Sequence, residues 1–215
     1  MKKIAIFGAG GFGREVKFLI DRINQVEATY DIVGFYDDAE GLPETINGIP
    51  YLGKMDDLNQ VDYELGLAVA IGEPNIKEKV ISNMKNSKIS FPTLIDPSVI
   101  VSSDNVSIGQ GCIVCAGNII TTDISIEDHV ILNLSCTVGH DTVIKKYCSF
   151  MPTVNISGEV AIAPKVYVGT GAKIINQLEI GENTTVGAGA VVAKSLPANC
   201  VAVGMPAKAI KFKDQ

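Results

Sequence analysis

The chain has 215 residues, of which 47% are hydrophobic and 20% are charged, as in a globular protein rather than a disordered one. Its 18 basic and 24 acidic residues give a formal net charge of −6. This charge argues against a nucleic-acid partner, because binding a phosphate backbone requires a basic surface. No apolar run approaches the roughly 20 residues of a membrane span, and glycines interrupt the apolar N-terminal segment that imitates a signal peptide. With five cysteines and no secretory signal, we expect a cytoplasmic protein with reduced thiols.

The first part of the chain alternates between strand-like and helix-like segments. Predicted strands cover residues 3–7, 32–36, 66–71 and 89–95, and predicted helices cover 15–23 and 75–85. The helical period places four residues of the second helix on its buried face: Ile76, Val80, Ile81 and Met84. Alternating β and α segments predict a small parallel sheet with packed helices, which is a reduced Rossmann-like domain over residues 1–95.

A glycine-rich turn joins the first predicted strand to the first predicted helix. Its glycines are Gly8, Gly10, Gly11 and Gly13. In this context they permit a tight turn and the close approach of a pyrophosphate to a helix N-terminus. Asp37 and Asp38 end the second strand, where they could accept hydrogen bonds from a ribose or a base. An NAD site, a nucleotide-sugar site and a purely structural turn all fit the motif, although the short domain argues against NAD.

The second part, residues 96–200, places an apolar side chain at every sixth position. The series is unbroken: Ile108, Val114, Ile120, Ile126, Leu132, Val138, Ile144, Phe150, Ile156, Ile162, Val168, Ile174, Ile180, Val186 and Val192. Three six-residue sides make one coil of 18 residues, and coils stack through strand pairing about 4.8 Å apart. The period therefore predicts a parallel β-helix, which could be an inert spacer or an assembly module as well as an enzyme.

His140 departs from the needs of the repeat. It lies two positions after the inward Val138, so its side chain should point out of the prism. A step of 18 residues places Gly158 beside it in the next coil, and a carboxylate column containing Asp141 runs alongside. An exposed imidazole with an orienting carboxylate and open space suits a general base. A solvated surface pair without a role is the alternative.

Other candidate ligands and nucleophiles have simpler explanations. We interpret His129 as a surface histidine, and two histidines cannot make a three-histidine zinc site. Cys112 and Cys115 form a C-x-x-C motif. Cys112, Cys136 and Cys148 occupy the small inward position of the repeat, so packing explains them better than metal or redox chemistry.

Together these features resemble hexapeptide-repeat sugar acyltransferases with a small Rossmann-like N-terminal domain, which include bacterial UDP-4-amino-sugar N-acetyltransferases and sialic-acid O-acetyltransferase-like proteins. The resemblance covers nearly the whole chain. It rests on these segments: GAGGFGRE at 8–15, FYDD at 35–38, AVAIGEPNIKEKV at 68–80, LIDPSV at 94–99, ILNLSCTVGHD at 131–141, ISG at 156–158, VGTGA at 168–172, VGAGAVV at 186–192 and VAVGMPAK at 201–208.

The resemblance implies a left-handed β-helix, a homotrimer and acetyl-CoA lying between neighbouring β-helices, with residues 201–215 as a C-terminal tail. It implies that His140 is the catalytic base and that Asp141 raises its basicity, with no metal. The UDP part of the acceptor would contact Gly8, Gly10, Gly11, Gly13, Asp37, Asp38 and Gly72. Acetyl-CoA would contact Ser149, Gly158, Thr170, Ala188 and Lys208. Phe12 and Ser149 stand where family members can carry histidine, which makes the acceptor and the acetyl position of this chain open questions.

Three functions remain to be distinguished. The first is an acetyl-CoA-dependent acetyltransferase acting on an amino or hydroxyl group of a nucleotide-linked sugar, or of a free sugar or amino acid. The second is a non-catalytic partner of a sugar-pathway enzyme, which would not bind CoA. The third is an NAD-binding sensor built on the glycine-rich turn.

Overall fold

A six-stranded sheet with helices packed on it forms the N-terminal part of the computed structural model, which describes residues 1–213. The strands, in the spatial order β3-β4-β2-β1-β5-β6, are β1 (Lys2–Phe7), β2 (Tyr30–Tyr36), β3 (Thr45–Ile46), β4 (Ile49–Gly53), β5 (Leu65–Val69) and β6 (Ile89–Ser90). The helices are α1 (Gly11–Val26), α2 (Met55–Asn59) and α3 (Pro74–Ser82). All neighbours pair in parallel except β3 and β4, which pair antiparallel. The predicted Rossmann-like fold is therefore confirmed, with the β3–β4 hairpin and α2 added to the elements that we predicted.

The rest of the chain forms a parallel β-helix with three faces. Face 1 contains β7 (Leu94–Ile95), β10 (Ile113–Val114), β13 (Ile131–Leu132), β16 (Ser149–Phe150), β19 (Tyr167–Val168), β22 (Thr185–Val186) and β24 (Cys200–Gly204). Face 2 contains β8 (Ile100–Val101), β11 (Ile119–Ile120), β14 (Thr137–Val138), β17 (Asn155–Ile156), β20 (Lys173–Ile174) and β23 (Val191–Val192). Face 3 contains β9 (Val106–Ile108), β12 (Ile124–Ile126), β15 (Val143–Ile144), β18 (Ala161–Ile162) and β21 (Glu179–Ile180). β25 (Ala207–Phe212) pairs antiparallel with β24.

The six-residue series fills the interior of this prism as predicted. Ile131 pairs with Ile113 in the preceding coil and with Ser149 in the following one, so each coil advances by 18 residues. The inward residues from Val114 to Val192 are buried and form one continuous hydrophobic cluster. Because a single coil cannot bury its own apolar face, the stacking itself stabilises the fold.

We call the turns from face 1 to face 2 the first corner, those from face 2 to face 3 the second corner, and those from face 3 to face 1 the third corner. The repeat determines which corner a residue occupies. Residues 151–154 and 169–172 lie in the first corner, 139–142 and 157–160 in the second, and 127–130 and 145–148 in the third.

The N-terminal domain packs against face 1. β7 already pairs with β10, so the β-helix begins at Leu94, two residues before the predicted start at residue 96. Arg22 of α1 binds the buried Asp96 with Nε 2.5 Å from Oδ2. Burial raises the pKa of Asp96, but hydrogen bonds from Arg22 and Ser98 more than offset this and hold it below its usual range. No helix of residues 1–213 has the length and apolar character needed to cross a membrane.

The predicted buried face of α3 is wrong at Ile76, because the next residue, Lys77, is buried instead. Ile76 is 53% exposed, whereas its neighbour Lys77 is 1% exposed. α3 ends at Ser82, before Met84. The carboxylate of Glu73 caps the helix by accepting a hydrogen bond from the backbone N–H of Ile76 at 2.7 Å, which stabilises its first turn.

Candidate active site

His140 lies in the second corner, immediately after β14, with 57% of its side chain exposed. Its Nδ1 is 2.8 Å from Oδ2 of Asp141, which is in the left-handed backbone region with φ of 57°. A carboxylate only accepts hydrogen bonds, so this contact places a proton on Nδ1 and leaves the lone pair of Nε2 without a hydrogen-bond partner among residues 1–213. The imidazole is thus oriented as a general base.

Gly158 holds the ring from the next coil. A Cβ at this position would clash with Nε2 and Cε1 of His140 and would lie 2.9 Å from Cδ2. Gly139 is equally restricted, because its Cβ would lie 2.7 Å from the backbone nitrogen of Gly158. The two glycines therefore let the imidazole lie directly against the backbone of the following coil.

Three carboxylates stack beside the histidine, as the step of 18 residues predicts. Asp123 accepts a hydrogen bond from Nδ2 of Asn105 at 2.9 Å, and Glu159 accepts one from Nε2 of Gln177 at 3.2 Å. The bond from Asn105 is the main cause that lowers the pKa of Asp123, with smaller effects of Thr122 and His140. Asp141 is the member of the column that contacts the imidazole.

The glycine-rich turn leaves the N-terminus of α1 open. Gly10 and Gly11 are exposed, and no atom lies within 4 Å of a Cβ built on Gly10. Gly8 has φ of 110° and would clash at 2.8 Å with the carbonyl oxygen of Ala70. Gly13 is buried against the carbonyl of Gly8. Gly8 and Gly13 are thus required by packing, while Gly10 and Gly11 are free to admit an anion beside the unpaired N–H groups of α1.

The two carboxylates that were predicted to contact a ribose or a base already accept hydrogen bonds within the domain. Asp37 accepts hydrogen bonds from the backbone N–H of Ala9 at 2.7 Å and of Ala39 at 2.9 Å. Asp38 accepts one from the backbone N–H of Met55 at 2.9 Å. These bonds shape the glycine-rich turn and the start of α2, so both carboxylates have a structural role whatever else they bind.

The first corner connects the N-terminal domain with the predicted CoA residues. A Cβ at Gly72 would lie 3.8 Å from Cε of Met151. Thr170 lies one coil beyond this corner segment and Ala188 two coils beyond, and both are exposed. Lys208, in β25, is exposed at the C-terminal end of the same prism.

One chain does not bring all predicted site residues together. His140 and Gly158 lie in the second corner, whereas Thr170 and Ala188 lie in the first, so face 2 separates the two groups. A strand side of six residues spans up to about 20 Å.

One predicted placement was wrong. His129 is 5% exposed rather than on the surface, because its ring stacks on Tyr147 at 5.6 Å and meets Phe91 edge-on at 5.0 Å. Burial lowers its pKa to about 4. Ser149, a predicted acetyl-CoA contact, is fully buried on face 1, where its hydroxyl accepts a hydrogen bond from Lys77. Its contact with acetyl-CoA stays a prediction.

The two cysteines of the C-x-x-C motif pack in hydrophobic clusters, in line with the sequence interpretation. Cys112 faces the β-helix core, and Cys115 packs under the N-terminal domain. Burial raises the pKa of Cys112 to about 11 and that of Cys115 to about 12, so both are protonated, unreactive thiols. Within residues 1–213, no group of three His, Cys, Asp or Glu side chains is arranged to hold a metal ion.

A β-helix with an oriented corner histidine, preceded by an α/β domain with an open helix N-terminus, defines an acyltransferase of the hexapeptide-repeat class. Residues 3–84 match the family model of the PglD N-terminal domain. The chain is 30% identical to GDP-perosamine N-acetyltransferase of Escherichia coli O157:H7 over 217 residues, covering 98% of this chain and 97% of that protein.

Two solved structures are similar over almost the whole chain. PerB from Caulobacter crescentus, in complex with CoA and GDP-perosamine, has a TM-score of 0.89 at 29% identity and covers 98% of both chains. The acetyltransferase domain of PglB from Neisseria gonorrhoeae, with acetyl coenzyme A, has a TM-score of 0.87 at 30% identity, covering 97% of this chain and 99% of that one. The chain belongs to the hexapeptide-repeat sugar acetyltransferase family with a PglD-type N-terminal domain, and is an acetyl-CoA-dependent acetyltransferase.

Proposed function

We propose that the protein transfers the acetyl group of acetyl-CoA to an amino group of a nucleotide-linked sugar, with His140 as general base. The hydrogen bond of 2.8 Å between Nδ1 of His140 and Asp141, which leaves Nε2 free beside Gly158, carries the proposal. The names of the full-length relatives, which are sugar N-acetyltransferases, favour an amine over a hydroxyl acceptor.

The reaction proceeds by direct attack on the thioester. Nε2 of His140 takes a proton as the acceptor nitrogen forms its bond to the acetyl carbonyl carbon. The bond from this carbon to sulfur then breaks, and CoA leaves as a thiol once it gains a proton. Asp141 stabilises the imidazolium during this step, and backbone N–H groups near Gly158 are placed to stabilise the oxyanion. No covalent enzyme intermediate is required.

The acceptor site is the N-terminal domain. We expect the diphosphate at Gly10 and Gly11, where the N–H groups of α1 are open, with Gly8 and Gly13 shaping the turn. Asp37, Asp38 and Gly72 line the end that faces the ribose and base. The sequence suggested a UDP-linked sugar, whereas PerB was solved in complex with a GDP-linked one. Experiment therefore decides which nucleobase the sugar nucleotide of this protein contains.

The complete site requires a second copy of the chain. Acetyl-CoA lies along the first corner at Thr170 and Ala188, with Lys208 toward its phosphates, while His140 is supplied by the second corner of a neighbouring subunit. The separation of these corners by face 2 supports this arrangement. We propose a homotrimer, because closed cyclic symmetry gives each subunit the same neighbour.

A ligand panel tests this function. Acetyl-CoA, UDP, GDP, UDP- and GDP-linked amino sugars, CMP-sialic acid and NAD are compared by thermal shift, followed by acetyl-transfer assays with each sugar that binds. We expect acetyl-CoA and one class of nucleotide sugar to raise the melting temperature by mass action. Stabilisation by NAD without acetyl transfer, or no response to acetyl-CoA, would contradict the proposal and favour a sensor or a non-catalytic partner.

A further inference from the structure

Lys77 is the most unusual charged residue of the described chain. It lies in α3 but is 1% exposed, buried between the N-terminal domain and face 1. Its Nζ donates hydrogen bonds to Oγ of Ser149 at 2.9 Å and to the carbonyl oxygen of Cys148 at 3.2 Å. Among the ion pairs of residues 1–213, none includes Lys77.

The two partners of Lys77 suit an uncharged amine. Such an amine has two N–H groups, and the site offers two neutral acceptors; an ammonium would bury a third N–H without a partner. Burial lowers the pKa of Lys77 to about 7, against weak opposing effects of Cys148, Cys112 and Glu73. His129 is near enough to Lys77 for a positive charge on the lysine to lower the pKa of His129 further.

The hydrogen bond between Lys77 and Ser149 lies beside the proposed acceptor site. Lys77 is in the first two turns of α3, which begins two residues after Gly72. Ser149 begins β16, and Cε of Met151, just after that strand, lies 3.8 Å from where a Cβ on Gly72 would be. The Lys77–Ser149 bond and this approach of Met151 to Gly72 therefore involve the same two segments, 72–77 and 148–151.

Other links from α3 to the β-helix are weaker. Nζ of Lys165 lies 3.4 Å from Glu78 and 3.1 Å from Glu182, and Asn75 bonds Asn183 at 3.0 Å. These groups are partly or largely exposed, and water and salt screen such pairs. The buried Lys77 bonds are thus the ones able to fix the position of α3.

We propose that Lys77 is a positioning residue, which holds the nucleotide-sugar edge of the N-terminal domain at a fixed distance from the first corner, where acetyl-CoA is bound. This inference rests on the proposed function. Lys77 touches neither substrate: it acts through α3 and β16, so that the acceptor nitrogen reaches the thioester carbon in a reactive alignment.

Lys77→Met tests the role, since it keeps the apolar stem and removes the amine. We expect kcat/KM for the nucleotide sugar to fall about tenfold, mainly through kcat. The Kd of acetyl-CoA should stay within about twofold, because the CoA residues lie on the β-helix alone. Lys79→Met is the matched control, because Lys79 lies on the same helix and is exposed. Ser149→Ala should show a smaller loss, and the double variant should be no worse than Lys77→Met, because both remove one shared interaction.

Hydrogen exchange provides a readout that does not need activity. Amides of 72–77 and 148–151 should exchange faster in Lys77→Met than in Lys79→Met, even if wild-type protein transfers no acetyl group and the proposed function fails. Kinetics and exchange that match Lys79→Met would overturn the inference, as would an equal loss of acetyl-CoA affinity. If Lys77→Met does not fold, wild-type kinetics and exchange in Ser149→Ala would overturn it.

Discussion

At His140, one hydrogen bond determines which ring nitrogen is basic. The carboxylate of Asp141 accepts a hydrogen bond from Nδ1–H, and Gly158 leaves room for the ring against the next coil. Any other residue at 158 would push the imidazole out of this position. The sequence predicted both partners, because Asp141 follows the histidine directly in the chain and the step of 18 residues places Gly158 beside it in the next coil.

Replacing this base should show its contribution directly. We expect His140→Ala to lower kcat by about 10²–10⁴, the usual effect of removing a general base. Asp141→Asn should cost less, because an amide oxygen can still accept the hydrogen bond from Nδ1–H, although it no longer stabilises the imidazolium by charge. Steady-state kinetics with the acceptor found in the ligand panel measure both.

Asp123→Asn is the control for these variants. Asp123 belongs to the same column but accepts a hydrogen bond from Asn105 and makes none with the ring. The kcat of the Asp123→Asn variant should therefore stay within about twofold of wild type. Near-normal turnover of His140→Ala in a folded protein with normal acetyl-CoA affinity would remove this residue from the role of base.

Among the elements, the strands of the β-helix were easier to predict than α3. Each side of the prism is a local six-residue pattern whose large residue points inward, so the period of the sequence alone identifies each strand. On α3, the periodic positions 77, 80 and 84 include a lysine, and a lysine is rarely buried. The spacing of Pro74, Lys77, Val80, Ile81 and Met84 was nevertheless the signal that could have revealed the buried position.

The buried amine makes a pH prediction at the level of α3. Because the folded pKa of Lys77 is lowered from 10.5 to about 7, the unfolded chain binds a proton between these values that the folded chain does not. The free energy of unfolding should therefore rise with pH across this window, by up to about 1.4 kcal/mol per pH unit from this group. Lys77→Met should lack this rise, measured as the difference between the two proteins in urea unfolding from pH 7 to 10. Parallel curves for the two proteins would show that the amine stays charged when folded.

For the whole molecule, the central feature is that the candidate base His140 and two of the candidate CoA residues, Thr170 and Ala188, occupy different corners. Their positions follow from the repeat, because His140 and Thr170 differ by 30 residues, which is one coil and two sides. Two such corners can meet only if a second β-helix packs beside the first. This geometry supports the proposed homotrimer, which the resemblance also implies.

Mixing two inactive variants tests whether the site is shared. His140→Ala removes the base, and Ala188→Trp blocks the first corner, so each homo-oligomer should be inactive. If one subunit supplies His140 and its neighbour supplies the first corner, refolding the two together should restore about a quarter of wild-type activity by random mixing. Activity no higher than that of the separate variants, in mixed trimers verified by mass, would mean that each chain contains its own site.

The sequence by itself determined the β-helix, the α/β domain before it, the glycine-rich turn and the His140–Asp141–Gly158 arrangement, because each depends on a local pattern or a fixed repeat. Tertiary structure alone decided the burial of Lys77, His129 and Ser149, and the hydrogen bonds that backbone N–H groups donate to Asp37 and Asp38. The bonds to Asp37 and Asp38 form within the N-terminal domain, whereas the burial of Lys77 and Ser149 depends on how that domain lies on face 1. That packing joins residues more than 70 positions apart, such as Lys77 and Ser149, and no short-range periodicity of the chain encodes it.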